Sequence, residues 1–392
     1  MSYRLEFFEP TQVGLEIDAT IQAQAWQQSR AFATAASQWN AYVNQLCLQT
    51  MLAWLQQDYD PQATSLPNAA ALDSYWEVVN GAVIAFAGRR LVLVPSEAID
   101  CDELRVSQEW VDIPNWIGDY YVAVQVNEDE GWLRLQGFTT HRQLKERGRY
   151  DWRDRTYCLE PADLIPDFGA LWVSRQLAPD EVTRAASTPS VSTPSMATLS
   201  TVQAENLIER LSHPTLSHPD PRLAIPFEQW AALMSHGGWR QTLTERRRGL
   251  PEQRSLLQWL RSGIPIWASQ AGWGQVEIQL AAGGRGEAAS LEHALAQRLT
   301  IAHQPYELQV AQVDAAANIW RWTLRSLTAG GMIPAGFALR LLTEDLQPFE
   351  GNEDRATAAI ELLLIEIVLE PGEGIVWEIE PQPDAYEREI FR

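Results

Sequence analysis

Lysine is almost missing from this chain. Lys145 is the only one among the 30 basic residues, and every other one is arginine. Arginine forks onto carboxylates and stacks on aromatic rings, where lysine offers a point charge. Seventeen tryptophans supply surfaces for it. Arg–Trp stacking and Arg–carboxylate pairing are the plain expectation, and cation–π recognition of a ligand the sharper one. Cysteine is sparse too, with Cys47, Cys101 and Cys158 far apart and no CxxC. That pattern excludes a disulfide framework and a zinc site and suits reduced thiols in a cytoplasmic protein. The N-terminal residues have neither a charged n-region nor an apolar h-region, so no signal peptide is expected. The longest apolar-rich run, 358–370, is broken by Glu361, Glu366 and Glu370, and no membrane span is expected. Positive charge is in deficit, with 51 acidic residues against 30 basic and a net charge of −21. This opposes nonspecific binding to nucleic acid or anionic lipid and favours basic partners. GxxxxGK[ST], HExxH, GxSxG and the kinase signatures are all absent.

What is present reads as an α+β protein. At 392 residues two domains are expected. Residues 3–8 read as a short strand ended by Pro10. From Asp18, a fitting N-cap, apolar residues recur at three- and four-residue steps through Ala25, Phe32, Trp39, Val43 and Leu55. One long helix, or two joined near Ser37, would fit. Strands are predicted at 76–86, 91–95, 104–110, 120–126 and 132–138, the last two forming a hairpin. Its turn acids, Glu128, Asp129 and Glu130, read as a solvated tip, since a calcium loop needs a longer spaced ligand set. TYCLEPADL adds a further strand. Residues 1–184 thus form an α+β domain, a long helix on an antiparallel sheet for which a barrel is one closure. Residues 185–221 are a Ser/Thr/Pro-rich linker, expected to be disordered in its first part, with a short amphipathic helix at VQAENLIERL. Residues 222–392 read as a β-sandwich-like domain with a few helices. IPFEQWAALMSH, PEQRSLLQWLRSG and ASLEHALAQRL are its helical segments. ELLLIEIVLE is expected as a buried central strand, and would be an aggregation hazard if exposed.

Several arrangements imitate chemistry. VEIQLAAGGRGEAASLEHALAQRL sets a strand, a Gly-rich turn and a helix in order. Gly284, Gly286 and Ala289 fit GxGxxA, where glycines let a pyrophosphate approach a helix N-terminus. The acid due about 20 residues on is out of place, since Glu307 opens the next strand and Asp314 closes it. No cofactor is expected, and a nucleotide sensor or enzyme built on this turn stands as the alternative. His213 and His218, in a repeated SHP unit, lack a third ligand, so no metal is expected. Cys158 and His141 lack an orienting third group, and a buried thiol beside a surface histidine is the plain reading. Two basic segments remain, GFTTHRQLKERGRYDWRDR (137–155) and WRQTLTERRRGLPEQR (239–254). Both interleave cations with acids, which predicts local salt bridges on a solvated face. The first follows the hairpin and reads as an exposed connection between two strands. Its His141, Arg142, Lys145, Arg147, Arg149, Tyr150, Trp152 and Arg153 are the candidates to face a protein partner.

Long phrases also carry a family resemblance. NAYVNQLCLQTMLAWLQ, VPSEAIDCDELRVSQEWVDIPNWIGDYYVAVQVN, LQGFTTHRQLKERGRYDWRDRTYCLEPADL and IPAGFALRLLTEDLQPFE resemble the cyanobacterial family called domain of unknown function eighteen twenty-two. The PGEG turn and the closing EREIF are similar as well. The resemblance implies no reaction and no catalytic residues. The expectation is therefore a noncatalytic, cytoplasmic regulatory or adaptor protein acting through protein–protein contact. Contact with a sigma factor or polymerase is the second expectation.

Overall fold

The computed structural model describes residues 13–98, 103–186, 196–213, 220–250, 255–279, 291–370, 372–384 and 386–392. The expected strand at 3–8, His218 and the Gly284, Gly286 and Ala289 turn lie outside them. Helix and strand take near-equal shares, 33% and 32%, which places the chain in the mixed class.

β1 (Val13–Glu16) leads into α1 (Ala19–Ser29), whose first turn is closed by Asp18 accepting the Thr20 N–H at 2.7 Å. A break at residues 30–34 precedes α2 (Ala35–Asp58). The helical stretch is two helices because Thr34 and Ser37 form a capping box that satisfies the free N–H groups of a new start. The buried face of α2, including Leu46, Met51, Trp54 and Leu55, packs on the first sheet. Then come β2 (Thr64–Leu66), α3 (Ala69–Trp76), β3 (Ala82–Phe86), β4 (Arg89–Ser96), β5 (Leu104–Ser107), α4 (Gln108–Asp112), β6 (Tyr120–Asn127) and β7 (Trp132–Thr140). Two predicted strands therefore open or close as helices. Asn68 caps α3 through the Ala71 N–H, and the strand that began at Leu104 turns into α4 after Ser107.

The first sheet runs in the order β1-β7-β6-β4-β3-β2 and curls into a half-barrel. It is not wholly antiparallel, because β4 and β6 are parallel neighbours. The chain between them leaves the sheet as β5 and α4, the crossover that parallel pairing requires. The expected β6–β7 hairpin is present, with a bulge between Ala123 and Val124. At that bulge Gly137 takes φ +153°, and a Cβ there would lie 2.9 Å from the Ile165 carbonyl oxygen. Glycine is thus required where the backbone of residue 165 approaches β7.

α5 (His141–Arg147), β8 (Arg149–Asp151) and β9 (Thr156–Leu159) follow, and β5, β9 and β8 form a small sheet. α6 (Phe168–Leu177) packs on β7 and buries Phe168 and Leu171 in the first core. α7 (Thr201–Ser212), where an amphipathic helix was expected inside the linker, buries Ala204, Ile208 and Leu211 in the first core. α8 (Phe227–Ser235) and α9 (Gly237–Arg247) add Trp230, Leu233 and Leu243 to that core, which also takes in Leu342, Val376 and Ile390. The apolar cluster therefore runs straight through the boundary expected at residue 222.

α10 (Leu256–Ser262) and α11 (Ile266–Gln270) precede two sheets. The strands are β10 (Trp273–Gln279), β11 (Leu291–Ile301), β12 (Gln304–Asp314), β13 (Ile319–Ser326), β14 (Ala338–Thr343), β15 (Glu353–Arg355), β16 (Leu362–Val368), β17 (Ile375–Glu380) and β18 (Ile390–Phe391). One sheet runs β10-β11-β12-β13-β16 and the other β15-β14-β17-β18. Both line a second core rich in tryptophan, with Trp259, Trp273, Trp320, Trp322 and Trp377 buried. Two expectations fail here. The expected helix ASLEHALAQRL contributes the strand β11, paired on both sides by β10 and β12. A strand–turn–helix for a dinucleotide is thus replaced by an antiparallel pair. ELLLIEIVLE supplies β16, which is an edge strand and leaves Leu362, Leu364 and Val368 exposed. Its Leu364 N–H is covered by the Asp354 carboxylate at 2.8 Å, which blocks one position of the free edge.

Candidate functional site

The stretch 137–155 is ordered secondary structure, not a loop. Thr140 closes β7 and caps α5, accepting the Gln143 N–H at 3.1 Å. α5 stops at Gly148, where a Cβ would lie 2.4 Å from the Leu144 carbonyl oxygen, and β8 starts at once.

This geometry divides the eight candidate residues. His141 is buried: its Nε2 donates to the Val111 carbonyl at 3.0 Å and its Nδ1 accepts the Ala185 N–H at 3.0 Å. Burial lowers its pKa, so the ring is held neutral. Lys145 also turns inward, donating to Asp112 at 2.9 Å and to the Tyr157 hydroxyl at 2.7 Å. That hydroxyl in turn donates to Asp112 at 2.9 Å, and burial followed by the Asp112 charge pushes its pKa up. The solitary lysine is therefore a structural cation. A start of α5 facing the core explains both corrections, because residues 141 and 145 lie one helical turn apart on the same inner face.

The other six, Arg142, Arg147, Arg149, Tyr150, Trp152 and Arg153, are exposed. Arg147 pairs with Asp163 at 3.1 Å and Arg149 with Glu103 at 3.1 Å, both at the surface. Trp152 stands at the β8–β9 turn with 74% of its surface exposed, and the Arg153 guanidinium lies 5.7 Å from its ring centroid. Among the described residues Arg153 makes no ion pair. Cys158 is buried, its thiol pKa raised by that burial, and its sulfur faces the Thr156 hydroxyl at 3.6 Å. With both nitrogens of His141 engaged elsewhere, the two do not form a nucleophile–base pair.

The second basic segment departs further from a solvated face. Arg240 is almost wholly buried, bonded to Ser74 at 2.9 Å, the Met234 carbonyl at 2.6 Å and Glu387 at 2.7 Å. Its guanidinium lies 4.0 Å from the Tyr75 ring centroid, and the Tyr75 hydroxyl donates to the same Glu387 at 2.7 Å. Arg247 and Arg248 hold buried Glu77 at 3.2 and 3.3 Å, and Arg248 covers Phe32. Beside the first segment, Arg222 grips buried Glu109 in a two-pronged contact of 2.9 and 2.8 Å, with Trp230 donating to Glu109 at 2.8 Å. Arg155, the last residue of the first segment, donates to the carbonyls of Arg222 and Ile225. The buried ion pairs escape a reading along the chain because their partners lie 113 to 171 residues apart. The replacement of lysine by arginine was the one signal of them.

A family model described as Protein of unknown function (DUF1822) matches residues 15–392. The chain belongs to this family. No curated protein and no solved structure matches it. Among the described residues no cluster of three or more metal-ligating side chains occurs, and no helix is long and apolar enough to cross a membrane.

Proposed function

We propose that this DUF1822 protein is a noncatalytic adaptor or regulator that binds another protein through the tip of its β5-β9-β8 sheet. The observation that carries this reading is Trp152, 74% exposed with Arg153 stacked over it. Tryptophan and arginine dominate the energy of protein interfaces because they bring large, desolvatable surface and fixed donors together. Left in water, so large an apolar side chain forfeits its burial free energy. In the same stretch the exposed Arg147–Asp163 and Arg149–Glu103 pairs supply polar groups of the kind an interface rim uses. The buried thiols of Cys47 and Cys158, each with its pKa raised by burial, support the noncatalytic part of the reading.

The test is affinity capture by the native chain, by Trp152→Ala/Arg153→Ala and by Arg147→Glu/Arg149→Glu/Arg153→Glu. A stoichiometric protein partner should be retained by the native chain and lost by both variants, with Tm changed by no more than a few degrees. Retention of that partner by the variants, or a collapse of Tm that assigns these residues to folding, would overturn the reading.

A further inference from the structure

A two-lobed cavity lies between the first core and the β15-β14-β17-β18 sheet. The larger lobe, about 350 Å³, is polar and is bordered by Arg90, Asn115, Arg240, Glu378, Glu387 and Arg388. The adjoining lobe, about 240 Å³, sets Leu66, Pro67, Val83, Trp110 and Pro383 opposite a lining that also holds Asn115, Gln382 and Glu387. Arg90, Trp116 and Glu387 border both, so Arg90 stands where the two lobes meet.

Four arginines and four carboxylates meet around this space, but three of the arginines take all four carboxylates. Arg240 is held by Glu387 at 2.7 Å, Arg388 by Glu378 at 3.0 Å, and Arg340 by Glu353 and Glu380. Arg90 is left over. Among the described residues no carboxylate lies within ion-pair distance of its guanidinium, whose one side-chain hydrogen bond goes to the Asn115 carbonyl. Burial, with the nearby Arg184 charge, disfavours its cationic form, yet a guanidinium stays charged in proteins. A partly desolvated cation with unused donors, aimed into a cavity, calls for an anion.

We propose that this cavity binds a small monocarboxylate with a flat apolar body, its carboxylate on Arg90 and its body in the lobe walled by Leu66, Pro67, Val83 and Trp110. The guanidinium fork matches a carboxylate. One charge is favoured over two because Glu378, Glu380 and Glu387 already line the wall and Arg90 is the only unpaired cation facing them. The larger lobe by itself reaches the range of small-molecule sites, and clefts between separately packed cores are where such sites form. This site is independent of the Trp152 tip.

The test is calorimetric titration of the full chain with benzoate and 2-naphthoate, with benzamide as the neutral counterpart and inorganic phosphate as the dianion arm. Both acids should bind, the amide and phosphate at least about tenfold more weakly. Arg90→Gln should weaken the acids by about tenfold or more, and Arg90→Lys should restore part of the loss. Absence of binding by both acids at millimolar concentration, equal binding of benzamide or phosphate, or undiminished binding by Arg90→Gln would each overturn the proposal. The acid–amide comparison needs no variant, so a folding defect at residue 90 would not shield it.

Discussion

At the scale of single residues, this protein uses arginine as internal structure. Arg222 is the sharpest case. It satisfies both oxygens of Glu109, which is fully buried, and also two carbonyls of the β8–β9 turn. Replacing it by methionine keeps much of the volume but leaves a buried carboxylate without its cation. Arg222→Met should therefore cost about 3–5 kcal/mol of unfolding free energy, measured by urea denaturation. Adding Glu109→Gln should recover a large part, since the uncompensated charge is what is expensive. Additive losses in the double variant would show that packing, not charge, sets the penalty. Which arginines are internal was not legible in the chain. Arg147 follows Glu146 and Arg247 comes two residues after Glu245, yet Arg147 meets a surface aspartate and Arg247 a buried glutamate. The partner's distance along the chain, 16 residues in one case and 170 in the other, is what separates them.

At the scale of elements, local signals held where the chemistry is local. Asp18, Asn68 and Ser200 each cap a helix through a nearby N–H, and the β6–β7 hairpin closes through its own turn. They failed where a neighbour decides. The β11 sequence has leucines and alanines that suit a helix, but pairing on both edges supplies more than the small propensity difference removes. β16 reads as central because it is apolar on both faces, and its place at the sheet edge depends on which strand adds last. The start of α9 gives a measurable case. A Cβ on Gly237 would lie 2.5 Å from the Arg388 carbonyl oxygen, and one on Gly238 2.4 Å from the Ile390 side chain. Gly237→Ala should destabilise by about 1–3 kcal/mol, read as a drop in Tm, although alanine is the better helix former. A neutral or raised Tm would mean that α9 and the segment leading into β18 leave room for a methyl group.

At the scale of the whole molecule, the two cores are tied together by the segment between them. α7, Arg222 and α8 all bind into the first core, and Leu342, Val376 and Ile390 reach it from the C-terminal sheet. Residues 1–184 made alone would lose Trp230 and Arg222 from Glu109 and the cover that α7 and α9 provide. We expect that fragment to lack a cooperative thermal transition and the near-UV dichroism of fixed aromatic rings, whereas the full chain shows both. A cooperative melt of the fragment near the full-chain Tm would show that the first core closes without those helices. Composition and short-range pattern were enough for the mixed helix–strand class, the acidic balance, the absence of known catalytic motifs, the helices α1, α2, α7, α8 and α10, and the hairpin, because propensity, capping and alternation act over a few residues. The parallel β4–β6 pair, the inward turn of His141 and Lys145, the buried arginines and the cavity at Arg90 arose only on folding. Each depends on groups distant in the chain meeting where water has been removed, and there a charge must find its partner in space.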